Sequence, residues 1–136
     1  MQITEAHRVE LVKRAVEARR HAYAPYSKYA VGAALLGKTG QMFSGANVEN
    51  AAYPTGMCAE RTALFHAVSE GEREFDAIVV VTENAGTPCG ACRQALSEFG
   101  LGTVVLLADA AGRILSETTI EALLPHAFGP GHLPRG

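Results

Sequence analysis

The chain has 136 residues and 14.4 kDa, the size of one compact domain, and with 48% hydrophobic residues and a mean hydropathy of +0.07 it can close a core instead of staying disordered. A formal charge of −2 supplies no broad basic face for a phosphate backbone, so a nucleic-acid polymer is not an expected partner. No apolar run approaches the ~20 residues that span a bilayer, which excludes a membrane helix.

Met1 to Arg8 lack the basic-then-apolar order of a secretory signal, which predicts a cytoplasmic chain whose three cysteines are thiols or ligands, not disulfides. Thr4 can cap a helix in which Val9, Val12 and Val16 with Leu11, Ala15, Ala18 and Ala22 recur at helical spacing, ending before Pro25. Tyr29 to Leu36 reads as a strand, Gly37 to Gly40 as a turn and Gln41 to Asn47 as its hairpin partner. A loop to Met57 leads into a helix over Cys58 to Glu70, followed by a strand over Ala77 to Thr82. After the loop Glu83 to Pro88 comes a helix from Cys89 to Phe99, then an apolar strand from Thr103 to Ala108. Asp109 to Gly112 is turn chemistry, Ile114 to Thr118 a last strand and Glu121 to Leu124 a last helical piece. That order predicts a three-layer α/β sandwich around a mixed five-stranded sheet, in a single domain over residues 1–136 with no repeat or linker.

The chemistry-bearing segments are Cys58-Ala59-Glu60-Arg61 and Pro88-Cys89-Gly90-Ala91-Cys92-Arg93-Gln94, each at the start of an expected helix. Cys89 and Cys92 stand three apart and share a face of the first turn, where the positive end of the helix dipole lowers a thiol pKa. Paired thiolates invite a soft divalent cation, and three protein ligands leave a fourth coordination place for water, as catalytic zinc requires. A lone buried cysteine is commonly just a small hydrophobe, but three in this arrangement are not explained that way. A redox dithiol also fits C-x-x-C, yet it needs no third cysteine followed two residues later by Glu. Histidines 7, 21, 66, 126 and 132 lack ligand spacing and read as surface or core residues.

With these motifs, and with Ala24-Pro25-Tyr26-Ser27-Lys28-Tyr29, Asn47-Val48-Glu49-Asn50-Ala51-Ala52-Tyr53 and Leu123-Leu124-Pro125, nearly the whole chain resembles the small homotetrameric cytidine deaminases with a three-cysteine zinc site. The resemblance implies Zn²⁺ on Cys58, Cys89 and Cys92, and Glu60 as the proton shuttle for attack of water on C4 of the cytosine ring. Three thiolates on Zn²⁺ carry a net negative charge that opposes ionising water, and Arg61, on the face of Cys58, is the expected compensating neighbour. By the same resemblance Asn47 and Glu49 hold the ribose 3′-hydroxyl, Tyr53 and the Ala59 N–H make further substrate contacts, and Tyr29 packs on the base where the family usually has Phe. Phe128 is expected to enter the site of a neighbouring subunit in a homotetramer.

The implied reaction is deamination of cytidine and 2′-deoxycytidine to uridine and 2′-deoxyuridine in pyrimidine salvage, with a small pyrimidine nucleoside as the partner. Two rivals are a blasticidin-S-type deaminase, against which Glu49 argues, and a non-catalytic zinc module, which would need a fourth protein ligand that no remaining cysteine supplies.

Overall fold

The computed structural model describes residues 3–134. Helix α1 (Glu5–Arg19) is followed by strands β1 (Gly32–Gly37) and β2 (Met42–Ala46), helix α2 (Ala59–Ser69), strand β3 (Phe75–Val81), helix α3 (Gly90–Ser97), strands β4 (Val104–Ala108) and β5 (Ile114–Thr119), and the short helix α4 (Ile120–Leu123). The strands form one sheet in the order β2-β1-β3-β4-β5, with only β3 and β4 paired in parallel. The mixed sheet and its flanking helices are those expected.

Side chains alternate across each strand, and this period of two divides the core. Ala33 and Leu35 of β1, Ile78 and Val80 of β3, and Val105 and Leu107 of β4 meet Ala63, Leu64 and Ala67 of α2, Leu96 of α3 and Ile120 of α4. Their neighbours Ala34, Leu36, Val79, Val81 and Leu106 meet Leu11 and Ala15 of α1 on the opposite face. Sheet and helices thus make three layers. Thr4 starts α1 as expected, and His7 completes the cap: the Thr4 hydroxyl accepts from the His7 N–H and His7 Nδ1 from the Thr4 N–H, both at 3.1 Å.

Strand β1 begins at Gly32, three residues later than Tyr29, because a side chain replaces the ladder there. Asn47 Oδ1 accepts from the Val31 N–H at 2.9 Å and its Nδ2 donates to the Tyr29 carbonyl at 2.8 Å. Strand β3 starts earlier than expected, at Phe75, which pairs with Gly37 across a bulge at Asp76 of β3.

Topology decides where the site lies. Strand β1 is antiparallel to both β2 and β3, so β2, β3 and β4 all run the same way. Helix α2 joins β2 to β3 and α3 joins β3 to β4, both packed on one face of the sheet. Both helices therefore start at the carboxyl ends of these strands, the edge where open α/β sheets place their ligands.

Candidate active site

Cys58 and Cys89 are the N-caps of α2 and α3, and Cys92 is buried in the first turn of α3. The convergence of the two helix starts brings all three sulfurs within 4.8 Å of one another. Cys89 Sγ lies 3.8 Å from Cys58 Sγ and 3.5 Å from Cys92 Sγ. Sulfurs on a tetrahedral zinc ion at a Zn–S distance of ~2.3 Å stand roughly 3.8 Å apart, so the thiols fit that ion with little rearrangement. The donor set is also chemically suited, being soft and placed at two positive helix ends.

A hydrogen bond from Cys92, reinforced by the Arg61 guanidinium, pulls Cys58 down to about 5, while the same partnership and burial push Cys92 up. Arg61 Nη2 donates to Cys58 Sγ at 3.4 Å, and its buried Nε has no hydrogen-bond partner. The guanidinium is thus aimed at the sulfur cluster, the position expected of a charge-compensating group.

Glu60, one residue into α2, is only 5% exposed. Burial above all, with the nearby Cys58 charge adding to it, raises its carboxyl pKa above the ordinary value. A carboxyl so placed can carry a proton between two partners in a cleft.

A cavity of about 490 Å³ opens over these groups, and Cys58, Cys89, Glu60, Arg61, Asn47, Glu49, Tyr53 and Tyr29 all line it. Ala59 is fully buried beneath, and its N–H, in the first helical turn, has no carbonyl acceptor within the helix. Tyr53 is 71% exposed at the mouth, its ring edge-to-face with Tyr26 at 5.2 Å between centroids. Phe128 is elsewhere, 56% exposed and stacked on His132, and does not reach the cavity of its own chain.

Two of the anticipated substrate contacts already have structural partners. Asn47 spends one amide proton and one lone pair on the Tyr29–Val31 backbone, leaving one of each. Glu49 Oε1 accepts from the N–H groups of Tyr26 and Ser27 at 3.1 Å each, and Oε2 from the Ser27 hydroxyl at 2.5 Å. The Ser27 hydroxyl above all holds this carboxylate below its ordinary pKa, so it stays charged. A carboxylate has about four acceptor positions, so one remains for a ligand.

Residues 6–108 match the family model described as the cytidine and deoxycytidylate deaminase zinc-binding region. The chain belongs to the cytidine deaminase family. It is 50% identical over 122 residues to a cytidine deaminase of Sporosarcina psychrophila, covering 88% of this chain and 89% of that one. A cytidine deaminase of Halalkalibacterium halodurans is 52% identical over 121 residues, 87% of this chain and 91% of its own. The crystal structure of cytidine deaminase from Burkholderia pseudomallei superposes with a TM-score of 0.83 at 46% identity, covering 93% of this chain and all of that one. More distant, at 35% identity over 127 residues and 86% of this chain, is a blasticidin-S deaminase of Bacillus cereus. As a member of this family the chain is a deaminating hydrolase, and its three-cysteine cluster fits a zinc site.

Three residues with work at the deaminase site escape a reading by motif. Ser27 secures Glu49, as described. Arg93 donates from Nε to the Pro88 carbonyl at 2.8 Å, from Nη2 to the Thr87 hydroxyl at 3.0 Å and from Nη1 to the Leu123 carbonyl at 2.9 Å, fixing the loop ahead of Cys89. Asn84 accepts the Tyr29 hydroxyl at 2.6 Å. Arg93 and Ser27 had a signal in standing inside the quoted segments, though neither spacing gave it a role; Asn84 had none, because its partner lies 55 residues away.

Proposed function

We propose that this chain hydrolyses cytidine and 2′-deoxycytidine to uridine and 2′-deoxyuridine with release of ammonia, as a zinc-dependent cytoplasmic enzyme of pyrimidine salvage. The observation that carries this reading is the buried Glu60 carboxyl beside three thiols at the floor of a nucleoside-sized cavity. Zinc on Cys58, Cys89 and Cys92 supplies the Lewis acidity that activates a water molecule near neutral pH.

The chain's own groups do the rest. Glu60 takes a proton from the attacking water, delivers it to N3 of the ring and then moves a proton to the exocyclic amine, which leaves C4 as ammonia. The Ala59 N–H holds the pyrimidine O2. Arg61 withdraws charge from Cys58 through its hydrogen bond to the sulfur. Glu49 and Asn47 use their remaining hydrogen-bonding positions for the ribose 3′-hydroxyl, and the fixed negative charge of Glu49 disfavours a nucleotide phosphate. Phe128 closes the site of a neighbouring subunit in a homotetramer.

A blasticidin-S-type activity is the second reading, supported by the relative of that name. The Glu49 carboxylate in the cavity wall favours a nucleoside. An ultraviolet absorbance assay with cytidine, deoxycytidine, cytosine, CMP and blasticidin S, with and without a chelator, tests both readings. Turnover of the two nucleosides that disappears with the chelator is expected. Turnover of blasticidin S alone overturns the nucleoside assignment, and turnover untouched by complete zinc removal overturns the zinc dependence.

A further inference from the structure

The Tyr29 ring lines the cavity, and its hydroxyl joins a short chain of hydrogen bonds at the start of the loop between β3 and α3, where Thr82 and Gly86 also border the cavity. Tyr29 Oη donates to Asn84 Oδ1 at 2.6 Å; the Thr82 hydroxyl donates to the same oxygen at 3.3 Å; and Thr82 Oγ1 accepts the Gly86 N–H at 2.8 Å. Asn84 Oδ1 thereby has both lone pairs engaged, and the buried Thr82 hydroxyl has its one proton placed.

The backbone conforms to this chain. Ala85, between the two tethered residues, has φ of 56°, the left-handed region that a non-glycine residue adopts at a cost. Gly86 approaches so closely that a Cβ on it would stand 2.9 Å from the Tyr29 hydroxyl, tighter than real Cβ contacts. Tyr29 and Thr82 thus secure one end of the loop and Arg93 the other, through Pro88 and Thr87. Cys89 is the next residue.

We propose that the Tyr29 hydroxyl is a positioning group: through Asn84 it fixes the loop that presents Cys89 to the metal, while the ring remains as cavity wall. The inference deepens the reading of a zinc deaminase and rests on it, because it assigns the phenol oxygen to the ligand loop and not to the substrate. Contact of the hydroxyl with the nucleoside is the alternative, and the two differ in what Tyr29→Phe changes. Losing a hydrogen bond in the ligand loop loosens the metal; losing one to substrate raises KM.

The test uses zinc-loaded wild type, Tyr29→Phe, Asn84→Ala and the double variant, each challenged with a chromogenic chelator in the absence of substrate and then assayed with cytidine. Both single variants are expected to release zinc roughly three- to tenfold faster, the worth of one hydrogen bond, with the double variant no faster than the quicker single one. In Tyr29→Phe, kcat is expected to fall while KM stays within about twofold. Unchanged zinc release in Tyr29→Phe overturns the proposal, as does an effect in the double variant equal to the product of the singles. A raised KM with unchanged release assigns the hydroxyl to substrate instead. A wild type that holds zinc but does not deaminate cytidine refutes the proposed function and leaves the release comparison intact.

Discussion

At the scale of single residues, one carboxyl and one guanidinium carry the sharpest expectations. Glu60 lies in the first turn of α2, where a glutamate is favoured by the helix dipole whatever its function, but burial with a raised pKa is not a feature of a capping glutamate in solvent. Glu60→Gln keeps the shape and cannot carry a proton, so kcat is expected to fall by roughly 10²–10⁴-fold or more with zinc content unchanged by elemental analysis. Retained turnover at full zinc occupancy would assign the proton transfers to another group. Arg61→Ala removes the donor to Cys58 Sγ and leaves the thiolates without their nearby positive charge, so zinc retention against a chelator is expected to weaken. For Glu49→Ala, loss of one charged hydrogen bond to the sugar predicts a fall of roughly 10- to 100-fold in kcat/KM for cytidine. The Ser27 tether is lost in the same variant, so Ser27→Ala serves as its comparison: it frees the carboxylate from its hydroxyl partner but leaves the charge in place.

At the scale of elements, the seating of α2 on the sheet decides where Cys58 and Glu60 stand. Gly45 in β2 lies against it: a Cβ there would sit 2.7 Å from the Ala63 nitrogen and 2.8 Å from Thr62 Cβ, and helix backbone cannot step aside cheaply. Gly45→Ala is therefore expected to destabilise the fold by about 1–3 kcal/mol, read as a lower urea midpoint at constant m-value. The β4–β5 turn depends on Asp109. Its carboxylate accepts the Arg113 and Ala111 N–H groups and Arg113 Nε, each at 3.0 Å, and these bonds, the Arg113 backbone N–H foremost, hold its pKa below the ordinary 3.8. The folded chain then binds fewer protons at this group than the unfolded chain does, so the stabilisation is present above pH 3.8 and is lost as pH falls through the lower folded value. Thermal melts should show Asp109→Asn less stable than wild type at pH 7, with the gap narrowing on acidification below about pH 3.8. A gap that stays constant down to pH 2 would show that the turn does not depend on this charge.

At the scale of the whole molecule, the prediction concerns assembly. The Phe128 ring is exposed on a segment tied to α3 by a hydrogen bond from Gln94 Nε2 to the Phe128 carbonyl at 2.9 Å. An exposed ring that misses its own cavity suits a pocket completed by a second subunit. Sedimentation is expected to give a tetramer. Mixing Glu60→Gln chains with Phe128→Ala chains under subunit exchange should restore part of the activity that each lacks, because some sites then combine an intact Glu60 with an intact Phe128. A fully active monomer would refute the shared pocket and leave the thiol cluster as it stands.

The elements, their order and three thiols at two helix starts were legible in the sequence, because each rests on local chemistry, whereas the role expected of Glu60 came from the family resemblance. Alternating apolar residues make strands, Thr4 caps a helix, and C-x-x-C at a helix start places two sulfurs on one face wherever that helix goes. Convergence of Cys58 with Cys89 across 31 positions was decided by the sheet: three strands running one way put the starts of two crossover helices at a single edge. The Asn47 amide shortened β1 for the same kind of reason, since a side chain folded back from the end of β2 meets backbone donors and acceptors that no periodicity reveals. Tyr29 shows the division most plainly. Its place in the chain put an aromatic ring on the cavity wall, while the direction of its hydroxyl depended on where a loop 55 residues further on was held. Hydrogen bonds between distant segments are set by packing, and packing is a property of the assembled fold.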